Sequence, residues 1–250
     1  MKIIIDCGHG GKDPGAIGIN IIEKDYVLEV GRLLKNELSQ YNCEVLMTRT
    51  DDTFLSLDDR TTLSNKNNCD LFISIHCNSF INENANGFES FSYNGNEIQK
   101  KIHNDIIKNI KIKDRGIKIN KAFYVLRKTK CKAVLLELGF ITNKEDSKIL
   151  NNSKNLFVHT IAKSIVDFYN LQMIKNETYC VQVGMFNKKE NAKTLRNKLM
   201  SEGYDAFIVR NEAYYVQVGL FNKKENANTL RNKLMSEGYD AFIVKNKMVY

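Results

Sequence analysis

The chain has 250 residues, 43% of them hydrophobic and 26% charged, with a formal net charge of +8. That is enough for one medium domain with a full core plus a small second one. The positive charge is spread along the chain, with no basic tail and no Arg-rich stripe. This argues against nucleic-acid binding and leaves a generally basic surface suited to anionic polymers. No segment approaches the roughly 20 apolar residues of a membrane helix. The opening run Met1-Lys2-Ile3-Ile4-Ile5-Asp6 is shorter than a signal peptide's core of about 7–15 residues. The expectation is therefore synthesis in the cytoplasm without a signal peptide, and no membrane insertion. The six cysteines include no Cys-x-x-Cys pair and read as reduced, mostly buried thiols.

Over residues 1–172, β-rich runs alternate with helical periodicity. The runs are Lys2–Asp6, Cys43–Thr48, Asp70–His76, Gly87–Tyr93, Ala122–Arg127 and Lys132–Leu138. Four are apolar at nearly every position, as strands buried on both faces should be. Apolar residues at helical spacing predict helices over Lys24–Gln40, Asn96–Ile110 and Ser153–Leu171. The fold class expected is α/β: a largely parallel twisted sheet with helices on both faces. A linker is expected at 173–178, and a second domain over 179–250. In it, Tyr179–Asn211 recurs as Tyr214–Asn246 with a period of 35, and only four of 33 aligned positions differ. Each copy reads strand, helix, strand and is too short to bury its own apolar face. Two copies together make one βαββαβ, ferredoxin-like α+β domain: a four-stranded sheet, both helices on one side, the other face open.

Chemistry-bearing residues stand at the ends of the buried strands. Lys2–Asp6 runs into Cys7-Gly8-His9-Gly10-Gly11, Leu71–Ile75 into His76-Cys77-Asn78, and Ala133–Leu136 into Glu137. In a parallel α/β sheet, ligands bind at the carboxyl ends of strands. Glu23 opens the first helix, across a Gly-rich turn from His9. Two histidines and a carboxylate form a hydrolytic zinc set with a position left for water. His9, Glu23 and His76 are assigned as ligands of one Zn2+, and Glu137 as the general base. Thiolate ligation by Cys7 or Cys77 is an alternative, although Cys77 follows His76 on an extended segment and should face the other way. His103 and His159 lie on predicted helices as packing or surface residues.

These residues carry a family resemblance. Residues 1–172 resemble the zinc-dependent N-acetylmuramoyl-L-alanine amidases through five stretches in family order. They are Ile5-Asp6-Cys7-Gly8-His9-Gly10-Gly11-Lys12-Asp13-Pro14-Gly15-Ala16, Glu23-Lys24, Leu57-x-x-Arg60-x-x-x-Ser64-Asn65, Ser74-Ile75-His76-Cys77-Asn78-Ser79 and Glu137-Leu138-Gly139-Phe140-Ile141-Thr142-Asn143. The resemblance implies zinc at His9, Glu23 and His76, catalysis by Glu137, and cleavage between N-acetylmuramic acid and the L-alanine of the stem peptide. Cys77 departs from the small residue usual there. Arg60, Asn65 and Asn78 are taken as substrate-binding, with a helix ion pair the other reading of Arg60. Some members carry a long helical plug after the second histidine. Here Phe80-Ile81-Asn82-Glu83-Asn84-Ala85-Asn86 is a short link, so no activator protein is expected.

Residues 179–250 resemble a SPOR domain through Val181-Gln182-Val183-Gly184-x-Phe186, Asn191-Ala192, Leu195, Leu199 and Gly203, and their repeats. The resemblance implies binding to peptidoglycan glycan stripped of stem peptides. Gln182, Tyr215 and Gln217 are the candidate glycan contacts, since amides bond sugar hydroxyls and rings stack on sugars. The expected role is lysis of a bacterial wall, by a sporulation mother-cell autolysin or a phage endolysin. Another zinc wall peptidase, such as a carboxypeptidase, and a non-catalytic wall-binding protein are the rivals.

Overall fold

The computed structural model describes residues 1–174, 179–210, 212–221 and 223–245. The chain divides into two compact units, Met1–Ile174 and Lys175–Tyr250. Most of the predicted linker, residues 175–178, lies outside the described residues, as do 246–250 of the second domain.

In chain order the first unit has strand β1 (Lys2–Cys7), helix α1 (Glu23–Leu38), β2 (Glu44–Met47), α2 (Leu57–Lys66), β3 (Leu71–Asn78) and β4 (Phe88–Ser92). Then follow α3 (Glu97–Asn109), β5 (Asp114–Ile119), α4 (Tyr124–Lys128), β6 (Lys132–Phe140), α5 (Lys144–Asn152) and α6 (Lys154–Tyr169). The six strands form one sheet in the order β2-β1-β3-β6-β4-β5. Only the β4–β6 pairing is antiparallel. Alternate residues of the central strands feed two cores, one on each face. Ile3, Ile5, Leu71, Ile73, Val134 and Leu136 pack with residues of α1, α3 and α6. Ile4, Phe72, Ala133 and Leu135 pack with Leu63 of α2 and with Val125 and Leu126 of α4.

One expectation needs correction. Ala122–Arg127 is not a strand. Asn120 Oδ1 accepts from the backbone N–H of Ala122 and Phe123, turning the chain into short α4. The missing strand is β5, whose only partner among the described residues is β4. As an edge strand it leaves Ile117 and Ile119 exposed, so its sequence lacks a buried run. Helix α2, also unforeseen, is polar. It starts at a capping box in which the Ser56 hydroxyl accepts from Asp59 N–H and the Asp59 carboxylate accepts from Ser56 N–H.

The second unit holds β7 (Tyr179–Phe186), α7 (Lys189–Ser201), β8 (Ala206–Arg210), β9 (Tyr214–Phe221), α8 (Lys224–Ser236) and β10 (Phe242–Lys245). Its sheet is antiparallel, in the order β10-β7-β9-β8. The first strands of the two copies pair at the centre, with Val181 opposite Val218 and Gln182 opposite Gln217. Val181, Val183, Val216 and Val218 pack with Ala192, Leu199, Ala227 and Leu234 of the two helices, so both copies build one core. Equivalent bonds cross between copies: Tyr204 Oη donates to Glu237 and Tyr239 Oη donates to Glu202, each at 2.5 Å. No helix of the described residues is long and apolar enough to cross a membrane.

Candidate active site

The core facing α2 and α4 gives way to polar residues at the carboxyl ends of the strands. Register alignment puts Asp6 beside Ser74 and His76 beside Glu137. These side chains share the face of Ile4, Phe72 and Leu135 because strand side chains alternate. There Asp6, His76 and Glu137 line a cavity of about 560 Å³, walled on the far side by Phe54, Leu55, Phe123 and Tyr124.

His9, Glu23 and His76 each offer a ligand atom, and the three atoms lie within 4.8 Å of one another. Glu23 Oε1 is 3.1 Å from His9 Nε2 and 3.0 Å from His76 Nδ1. Neighbouring groups hold His9 and Glu23. Asp13 Oδ2 takes His9 Nδ1 at 2.9 Å, which leaves Nε2 facing Glu23. Glu23 accepts from Ala16 N–H and Cys77 N–H. A carboxylate behind a metal-bound imidazole fixes the ring and its tautomer. Close packing excludes larger residues: a Cβ on Gly8 would fall 2.2 Å from the His76 ring. One on Gly15 would fall 2.6 Å from both Glu23 Oε2 and His9 Cδ2.

The electrostatics suit a bound cation. Burial opposes the imidazolium of His9, yet Glu23 and Asp13 outweigh it and push its pKa up to about 9. His76 is raised as well, burial being outweighed by Glu23 and Glu137. Glu23 is held well below the usual carboxylate range, because the two histidines overcome the cost of its burial. Two imidazoles that retain a proton only beside a buried carboxylate are groups whose protons a divalent cation can replace. Glu137 faces this cluster from the next strand. Burial, with further repulsion from Glu23 and Glu89, pushes its pKa up to about 7 against the opposing pull of His76. Its Oε2 is buried with no hydrogen-bond partner among the described residues.

Arg60 borders the cavity but is committed to the protein itself, and Asn65 lies away from it. Arg60 is 3% exposed and forms a buried ion pair with Asp6 at 2.8 Å. It also donates to the carbonyls of Cys7 and His9. Asn65 is absent from the cavity wall; its amide bonds Lys128 O and Lys130 N–H, tying α2 to the end of α4. Asn78 does line the cavity, with its amide nitrogen donating to Glu89 Oε1 at 2.7 Å. Sequence reasoning missed Arg49, which is buried and donates to the carbonyls of Cys7, Gly8 and Lys24. Arg49 and Arg60 together fix the loop that carries His9, whose φ of +59° is left-handed. Asp13 stood in the quoted motif, but nothing in its spacing marked it as the partner of His9.

In the second unit, Gln182, Tyr215 and Gln217 lie on the face opposite the valines that pack on the helices. There the Gln217 amide donates to Gln182 Oε1 at 3.4 Å and accepts from Cys180 Sγ at 3.1 Å. The six cysteines are all free.

Comparison with known proteins agrees with this architecture. Residues 3–167 match the family model described as N-acetylmuramoyl-L-alanine amidase, and residues 175–245 match the SPOR domain. The chain is 35% identical over 215 residues to the sporulation-specific N-acetylmuramoyl-L-alanine amidase of Bacillus subtilis, covering 82% of this chain and 83% of the relative. The solved catalytic domain of the amidase CwlV from Bacillus (Paenibacillus) polymyxa superposes with a TM-score of 0.65 at 32% identity, covering 68% of this chain and 99% of that one. The amidase AmiC2 of Nostoc punctiforme gives 0.65 at 35% identity, covering 68% and 97%. The family match over residues 3–167, the 35% identity to a named amidase and the fold shared with solved amidases make the conclusion direct: this chain belongs to the N-acetylmuramoyl-L-alanine amidase family of peptidoglycan hydrolases and carries a SPOR domain after its catalytic unit in sequence.

Proposed function

We propose that His9 Nε2, Glu23 Oε1 and His76 Nδ1 hold one Zn2+ and that Glu137 is the general base for cleavage of the lactyl–L-alanine amide. The observation that carries this reading is the convergence of one donor atom from each of the three residues within 4.8 Å, opposite a buried Glu137 oxygen with no partner among the described residues. Zinc bound there would polarise the scissile carbonyl and lower the pKa of an attacking water to about 7. Glu137 Oε2 takes the proton from that water and passes it to the leaving nitrogen, a transfer suited to a carboxyl whose pKa is near the working pH. Asp13 keeps His9 in one tautomer, and the wall of Phe54, Leu55 and Tyr124 excludes water from one side of the reacting amide.

The SPOR unit would hold glycan already stripped of stem peptides, the polymer left by the catalytic unit. Tyr215 is its candidate contact, with Gln182 and Gln217 buried and bonded to each other on the same face. Similarity to a sporulation-specific relative favours a mother-cell autolysin acting on the wall. The test is digestion of purified walls by untreated, chelated and zinc-restored enzyme. Peptides with a new L-alanine N-terminus, lost on chelation and regained with zinc, are expected. Free single amino acids, or release unaffected by chelation, would overturn the reading.

A further inference from the structure

Beyond Glu137 the sheet edge carries more positive charge than the carboxylate beside it neutralises. Glu89 of β4 sits directly opposite Glu137 of β6 in the antiparallel pair. Such residues have Cβ atoms about 5 Å apart. Glu89 is 4% exposed. Its Oε1 accepts from Asn78, which lines the cavity. Its Oε2 accepts from Arg115 Nε at 3.0 Å and from Lys118 Nζ, so two cations share one oxygen of one anion. Both cations are braced from behind. Arg115 donates to Asn86 O at 3.3 Å and lies over the Phe140 ring. Lys118 lies over Phe91, which packs edge-on against Phe123 in the cavity wall. Their side chains nonetheless remain 29% and 39% exposed. Strand β5, which carries them, is pinned through His103, whose ring joins Asp114 Oδ1 and Ser90 Oγ at 2.9 Å each. Two pre-positioned cations with one surplus charge make a carboxylate-binding edge whose ordering cost is already met.

We propose that Arg115 and Lys118 form a subsite for the stem peptide that takes the free α-carboxylate of its second residue. This rests on the amidase reading of the cleft. Glu137 must reach the nitrogen of the first stem residue, and one further residue extends the peptide by at most about 3.6 Å. A peptide led from there toward β4 and β5 would set its second residue beside Glu89 and the two cations. Where that residue is a glutamate joined through its side chain, its α-carboxylate is free unless amidated. A carboxamide in the same place offers the cations no charge.

The test uses the zinc-loaded full-length enzyme on disaccharide tetrapeptides whose second residue bears an α-carboxylate or an α-carboxamide. Wild type should show about tenfold higher kcat/KM on the carboxylate form, chiefly through KM, as expected for one charge-assisted hydrogen bond. Lys118→Gln should bring that ratio close to one, and Lys118→Arg should retain it. Melting temperatures establish that both variants are folded. Equal kcat/KM for the two substrates in wild type, or a full ratio in folded Lys118→Gln, overturns the subsite. If wild type cleaves neither these substrates nor whole walls, the amidase reading itself fails; cleavage without preference removes only the subsite.

Discussion

Gly15 separates two of the proposed metal ligands, and replacing it with alanine measures how tightly they are set. The added Cβ would lie 2.6 Å from Glu23 Oε2 and 2.6 Å from His9 Cδ2. Ordinary contact needs about 3.4 Å, so each of the two ligands must give by roughly 0.8 Å, a shift comparable to the 1 Å misplacements that cost about 10²-fold in rate. The backbone offers no relief, because Gly15 has φ +66° and a left-handed alanine costs about 1–2 kcal/mol. Gly15→Ala should therefore lose at least tenfold in zinc affinity and about 10²-fold in kcat/KM. Zinc affinity is read by competition with a chromophoric chelator, and activity by release of L-alanine N-termini. The fold should survive, since the site lies at the end of the sheet and not in its cores. A folded Gly15→Ala protein with wild-type zinc affinity and activity would refute the ligand assignment.

Other predictions follow from the same geometry. Arg60→Met leaves Asp6 buried without its cation and should destabilise the protein by about 3–5 kcal/mol in urea denaturation, the range for breaking a buried ion pair. Zinc must displace protons from His9, which is raised to about 9 in the metal-free protein. Apparent zinc affinity should therefore increase as pH rises toward 9, with protons released on binding, as calorimetry in buffers of different ionisation enthalpy will show. Glu137 works as a base only when deprotonated, so activity should rise with pH through a value at or below about 7, a bound cation pulling the pKa down from there. Glu137→Gln should remove that limb and lower kcat by about 10²–10⁴-fold. A single 35-residue copy of the second domain should be unfolded by far-UV circular dichroism, because Val181 and Val183 then lack the second copy's Val216 and Val218.

The sequence was most informative where burial made it repetitive. Ile3-Ile4-Ile5 and Leu71-Phe72-Ile73 announce central strands because both faces are covered, and the ends of those strands led directly to His9, His76 and Glu137. Legibility fails at the edges. Strand β5 alternates charged and apolar residues with one side to solvent, whereas the aromatic run at Ala122–Arg127 looks extended but is turned into α4 by Asn120. Helix α5 has few apolar residues and rests on Asn143, whose side chain caps Glu145 and Asp146 N–H. Arg60 and Asn65 brace the motif through contacts that its spacing does not display. Their partners are mostly backbone carbonyls distant in sequence, and a carbonyl has no identity that a sequence can display. Arg49 escaped notice for the same reason.

The central claim is that one cation sits among His9, Glu23 and His76. Anomalous diffraction from zinc-grown crystals, collected above and below the zinc edge, tests it most directly. The account predicts a single strong peak within about 2.0–2.2 Å of His9 Nε2, His76 Nδ1 and a Glu23 oxygen, with Glu137 facing it. A peak elsewhere, or none in protein that is active on walls, would contradict it.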